Sequence, residues 1–114
     1  MNQLNTKNLD ELFEIGGKVL VFDLIHLFTN EAVQIIQKLN EALKENKQEI
    51  LGQVAHKLKS SSGSLGLNEL SKQCHHVDAK RREGQPITST DVDQIISLIH
   101  SSRELLLGYK AEKN

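Results

Sequence analysis

Apolar residues recur along this chain at helical spacing, in five separate runs. The first takes Leu9, Leu12, Phe13 and Ile15; Asn8 followed by Glu11 suits a helix start, and Gly16-Gly17 an end. A long run follows through Phe22, Ile25, Phe28 or Thr29, Ala32 or Val33, Ile36, Leu39 and Leu43, fading in the predicted turn Lys44-Glu45-Asn46-Lys47. The third run is Leu51, Val54, Ala55, Leu58, Ser62 and Leu65. The fourth is Leu67, Leu70, Cys74 and Val77; it fades through Lys80-Arg81-Arg82 and stops at Gly84 near Pro86. Ser89-Thr90-Asp91 starts the last, which turns Val92, Ile95, Ile96, Ile99, Leu105 or Leu106, and Tyr109 inward. Repeats and strand-like alternation are absent from the pattern. It predicts an all-α, antiparallel up-down four-helix bundle with a short additional N-terminal helix, one domain over 1–114 with its core over roughly 8–110.

Composition agrees with that fold and narrows the function. A chain of 114 residues holds one core, and 38% hydrophobic with 25% charged residues is globular. One proline, three Phe, one Tyr and no Trp fit helices better than sheets. Cys74 has no cysteine to pair with. The segment Met1-Asn2-Gln3-Leu4-Asn5 lacks the basic and apolar pattern of a signal peptide. Val19 to Phe28, broken by Asp23 and His26, reads as too short to span a bilayer, so the expectation is a cytoplasmic protein with no membrane contact. The net charge of −1 argues against nucleic acid as a partner. That charge is unevenly spread: residues 1–50 carry −3, residues 51–84 carry +3, and residues 85–114 carry −1. The basic segment suits a partner with an acidic pocket.

His56 lies in that segment. At 100° per residue the apolar stripe of its helix centres roughly 150° away, so the imidazole points to solvent. Its own face holds Gly52 at i−4, Lys59 at i+3, Ser60 at i+4 and Gly63 at i+7. Each glycine costs a helix about 1 kcal/mol relative to alanine, and what the small residues offer is approach for a second protein. A neutral imidazole is a competent nucleophile near pH 7. Phosphoryl transfer asks a protein mainly for positioning and charge stabilisation, and Lys59 sets an ammonium beside any anion formed on the ring. Spacing alone leaves a surface histidine without function equally open.

The run from His56 to Gly66, HKLKSSSGSLG, resembles the signature of histidine-containing phosphotransfer (HPt) domains, usually H-x-L-K-G-S-S with a glycine ten residues after the histidine; His56, Leu58, Lys59, Ser61, Ser62 and Gly66 match. Phe22 to Leu43 is similar to the family's long second helix, and Leu67 to Gly84 to the helix facing the active one. Length, with no kinase or receiver segment attached, resembles stand-alone bacterial members. The resemblance implies a bundle that relays phosphate between receiver-domain aspartates. His56 would be the phosphoacceptor, Lys59 its electrostatic partner and Gly66 the break before the next helix. Ser60 stands where the family has glycine, and is small enough to keep docking open. Asp78 falls where many relatives carry Gln or Glu near the imidazole, and whether the shorter acid reaches the ring is open at this point. Candidate contact residues are Gly52, Lys57, Ser60, Gly63 and Asp78. The partners implied are response-regulator receiver domains and a hybrid sensor kinase, with this chain a monomer.

Other groups invite blander readings. His75 and His76 point about 100° apart and Cys74 sits on the apolar stripe, a poor metal set. Lys80-Arg81-Arg82 suits a solvated helix C-terminus that also adds to a basic rim. Ser61 and Ser62 lack an acid–base pair and read as capping and packing residues. With no glycine-rich nucleotide loop and no carboxylate cluster for Mg²⁺, the chain reads as a carrier rather than an enzyme, without cofactor, the Mg²⁺ belonging to the receiver. The alternative is a helical adaptor that inhibits a receiver or kinase without taking phosphate. A nucleic-acid-binding bundle is a distant third.

Overall fold

A computed structural model describes residues 2–114 and places four helices in the order α1 (Thr6–Lys44), α2 (Gln48–Ser64), α3 (Asn68–Arg82) and α4 (Ser89–Lys113), with no strand among the described residues. Packing runs around a square: α1 and α3 each lie against α2 and α4, as the antiparallel up-down bundle requires. The expected leading helix is the first limb of α1. Gly17 leaves helical geometry with φ 75° and ψ −171°, a conformation open to glycine, and kinks α1 there. The limb behind the kink runs the 42 Å long axis of the molecule, as about 1.5 Å of rise per residue requires.

α1 starts earlier than its sequence pattern suggests. Asn5, not Asn8, is the cap, and its Oδ1 accepts the Lys7 N–H at 3.2 Å. Asn8 is drawn to a tertiary partner instead and donates from Nδ2 to the Gly63 carbonyl at 3.2 Å. Leu9 is fully buried beside it, while Ile15, expected inward, lies 82% exposed next to the kink. In the long limb Val21, Ile25, Phe28, Thr29, Ala32, Leu39 and Ala42 face the core.

By length and composition alone α1 could also cross a membrane, with an 18-residue window of mean hydropathy 1.5, which corrects the expectation that no stretch is long enough. The apolar run continues beyond Phe28 through Val33, Ile35 and Ile36. One side of the helix serves the bundle, and Val19, Leu27 and Val33 remain exposed on the other.

The first three helices end in one way. A residue with positive φ follows each, Asn46 (51°), Gly66 (78°) and Gly84 (70°), and the next amide reaches back five residues: Lys47 to Ala42, Leu67 to Ser62, Gln85 to Lys80, at 2.8 to 2.9 Å. At Gly66 a second demand is added. The Asn5 amide donates to the Gly66 carbonyl at 2.9 Å, and a Cβ on Gly66 would collide with the Asn5 carbonyl oxygen.

α4 begins at Ser89, as its sequence suggested, with Thr88 as its cap. Thr88 Oγ1 accepts the Asp91 amide at 3.2 Å, and Asp91 Oδ2 accepts the Thr88 amide at 2.9 Å. The same Oδ2 takes the Lys80 ammonium at 2.6 Å, tying α3 to α4. Gln48 closes this end by accepting the Ile87 amide at 2.7 Å and donating to the Ile87 carbonyl at 3.0 Å.

Two stability changes are expected. Gly66→Ala places an alanine in left-handed geometry against the Asn5 backbone, and should lower unfolding free energy by at least about 1–2 kcal/mol in urea denaturation. Burial pushes the Asp91 carboxyl up, but Lys80 and Thr88 outweigh it and hold it below the ordinary carboxylate range. Its contribution is therefore present above the unfolded value of about 3.9 and lost as pH falls through the lower folded one. Asp91→Asn should cost about 1 kcal/mol at pH 7. The gap from wild type should close as urea titrations move below about pH 4.

Candidate functional site

The stripe predicted for α2 is buried throughout: Leu51, Val54, Ala55, Leu58, Ser62 and Leu65 are each 8% exposed or less. His56 therefore faces outward with 57% of its side chain exposed. The ring does not stand free. Nδ1 lies 3.0 Å from Oδ2 of Asp78 on α3, a residue only 1% exposed. The sequence left open whether so short an acid reaches the ring; it does, because α2 and α3 approach closely. Ser71 Oγ on α3 donates to the Lys59 carbonyl at 2.9 Å, and a Cβ on Gly63 would sit 3.3 Å from the Ser71 Oγ.

Asp78 is a carboxylate among cations. Oδ2 also accepts from Lys59 Nζ at 3.2 Å, Oδ1 accepts from an Arg81 terminal nitrogen at 3.0 Å, and Arg82 Nε stands 3.7 Å from Oδ2. Burial alone would push its carboxyl up; hydrogen bonds from His56, Arg81 and Lys59 outweigh that and hold it well below the usual carboxylate range. An ionised carboxylate only accepts, so the proton between the two residues belongs to Nδ1. In the neutral imidazole Nε2 then carries the lone pair, on the ring nitrogen away from Asp78.

Around the ring the predicted residues divide. Ser60 and Lys57 are exposed, and that flank of α2 is open. Beyond it, a groove of about 310 Å³ between α1 and α2 is lined by Leu24, Leu27, Phe28, Leu58 and Leu65, with Ser61 and Ser64 at its α2 side. Ser61 and Ser62 both donate to the Leu58 carbonyl, at 3.3 and 2.6 Å; Ser62 is buried, and Ser61 is exposed rather than packed. Gly63 is half-buried against Ser71. Gly52 is not part of an open approach: it is buried, and the stem of Arg81 crosses it. Lys59 is not a free ammonium either, since it rests on Asp78 with 27% of its side chain exposed.

Arg81 is the residue that sequence reading missed. The basic run at the end of α3 read as a solvated terminus, yet Lys80 goes to Asp91 and Arg81 to Asp78 and Glu49, the latter at 2.9 Å. The signal was the i,i+3 spacing of Asp78 and Arg81 on one helix. His76 offers a contrast. It too is half exposed and stands near a buried acid, Asp91, but at 3.6 Å, and its face of α3 carries Lys72 at i−4 and Lys80 at i+4 where His56 has Gly52 and Ser60. Cys74 is fully buried, and burial pushes its thiol up to about 12, so it packs rather than reacts.

The profile of the Hpt domain matches residues 23–105 of this chain. The phosphorelay protein LuxU of Vibrio vulnificus (strain YJ016) is 30% identical over 112 residues, which cover 97% of this chain and 97% of LuxU. The sensor protein TorS of Escherichia coli (strain K12) is 28% identical over 86 residues, 75% of this chain and 9% of TorS. In fold, the HPT domain of a hybrid histidine kinase from Shewanella superposes with a TM-score of 0.80 over 96% of this chain and 94% of that one, at 12% identity. The matched span contains α2 and α3 whole, and with them His56, Lys59 and Asp78: the chain belongs to the Hpt domain family.

Proposed function

We propose that this protein is a phosphorelay intermediate that takes a phosphoryl group onto Nε2 of His56 from a receiver-domain aspartate and yields it to another receiver. The observation that carries this reading is the pairing of Nδ1 with a buried, ionised Asp78, which leaves a nucleophilic lone pair on the ring nitrogen away from it. Nε2 attacks the phosphorus of the aspartyl phosphate; the N–P bond forms as the P–O bond to the receiver carboxyl breaks, and that carboxylate departs as the leaving group. The Nδ1 proton stays in place, and Asp78 offsets the positive charge that the phosphorylated ring gains. The return step reverses these bonds with a second aspartate as nucleophile.

The partner supplies Mg²⁺ and the acidic pocket, and this chain supplies the imidazole, its orientation and the basic surroundings. The chain is then a carrier without kinase activity of its own, a monomer in the cytoplasm serving receivers and a hybrid sensor kinase. An inhibitory adaptor would have no use for an imidazole with a fixed tautomer. The open flank at Lys57 and Ser60, continuing toward the apolar groove, is the side from which a receiver reaches the ring.

Incubation with a phosphorylated receiver and Mg²⁺ should label the chain with an acid-labile, alkali-stable adduct, while ATP alone should not. His56→Gln should abolish the label and leave circular dichroism unchanged; label surviving that substitution would sink the assignment.

Lys59→Ala should slow transfer about tenfold, the worth of one charge-assisted hydrogen bond to the phosphoryl group of about 1.5 kcal/mol. Its melting temperature should fall little, because His56 and Arg81 still partner Asp78. Ser60→Arg, one turn beyond the ring, should block transfer at unchanged helicity. Both are read by quenched-flow transfer assays beside thermal melts.

A further inference from the structure

Asp78 has two oxygens, and their partners are unequal. Oδ2 faces His56 and Lys59, whereas Oδ1 is held by Arg81 at 3.0 Å. Arg82, at 3.7 Å and 56% exposed, is too distant to hydrogen bond and too wet to hold the group. A carboxylate turns about its last torsion with a broad, two-fold preference. Of the three cations, only Arg81 grips the oxygen that the ring does not use, so only Arg81 opposes that rotation.

Arg81 is itself held at two further points. Its other terminal nitrogen reaches Glu49 on α2 at 2.9 Å, and its stem lies on Gly52. A Cβ on Gly52 would come within 2.6 Å of both Cβ and Cγ of Arg81, closer than real side chains approach. Glu49, Gly52 and His56 stand at i, i+3 and i+7, one face of α2, so the arginine lies along the row that ends in the acceptor histidine. Its Nε is buried with no partner, which the fork geometry imposes and packing alone would not select.

From this we infer that Arg81, seated on Gly52, is a positioning residue that fixes the Nδ1–H tautomer of His56 through Asp78. The inference rests on the phosphotransfer reading for its consequence but not for its geometry. It also gives Gly52 a purpose other than partner access: the glycine makes room for an arginine of the same chain.

The test uses three variants of the full chain. Arg81→Met keeps the stem and removes the fork; Gly52→Ala unseats the arginine without touching Asp78 or His56; Arg81→Lys restores one bond to Oδ1. In each, ¹⁵N shifts of the His56 ring report the tautomer, a phosphorylated receiver with Mg²⁺ reports transfer, and circular dichroism checks folding. Arg81→Met and Gly52→Ala should each convert one ring tautomer into a mixture and slow transfer about tenfold, the worth of one charge-assisted hydrogen bond. Arg81→Lys should recover part of both. Folded Arg81→Met and Gly52→Ala proteins with wild-type tautomer and wild-type rate would overturn the inference. A purely structural arginine would lower the melting temperature and leave the tautomer of the folded protein alone, which also overturns it. If the tautomer shifts as expected while even wild type takes no phosphate, the positioning role stands and the carrier reading falls.

Discussion

A carboxylate sealed between two helices is tolerable only if cations come to it, and Asp78 dictates much of what surrounds His56. Bringing an acid this short to the ring requires α2 and α3 to lie close, which explains the small residues along their seam. His56, Lys59 and Arg81 share the task of keeping it ionised, the two cations pointing inward at the cost of their freedom in water. Once these conditions are met, the imidazole has no choice of proton position. The chemistry of an exposed histidine is thus decided by a residue that solvent never touches.

The fold was largely legible because helical periodicity survives in a single sequence. Leu51, Val54, Ala55, Leu58, Ser62 and Leu65 form the buried stripe that the spacing implied, and that stripe alone put His56 outside. Gly66 and Gly84 signalled their turns through the one conformation glycine enters easily. What failed was local. Asn8 and Glu11 make a plausible cap in isolation, but the Gly63 carbonyl, 55 residues away, competes for the Asn8 side chain and Asn5 takes the cap. Ile15 carries the right spacing and the wrong exposure, since no rule of periodicity reports where a kink turns a helix aside.

The site was legible in its centre and opaque at its edge. His56 and Lys59 follow from spacing and from the motif around them; His56 is exposed as its spacing implied, and Lys59 leans on Asp78. The contact of Asp78 with the ring depends on the distance between two helices, to within about an ångström, and no linear pattern encodes that distance. Gly52 shows the sharper limit. A glycine one turn before the histidine reads as open space, yet the space is taken by Arg81 from the other helix. Emptiness in a sequence and emptiness in a structure are different properties, because a missing side chain can be the footprint of someone else's.

That footprint has a consequence for how such a chain can change over time. Gly52 and Arg81 lie 29 positions apart on different helices, yet the side chain allowed at one depends on the other. A side chain at 52 collides while the arginine is present, whereas the arginine can be lost with the glycine still in place. Substitutions at the two sites are therefore coupled in one direction: filling position 52 unseats the arginine, whereas losing the arginine leaves the glycine undisturbed. A lineage that has filled position 52 cannot regain the arginine in one step, so the loss works as a ratchet.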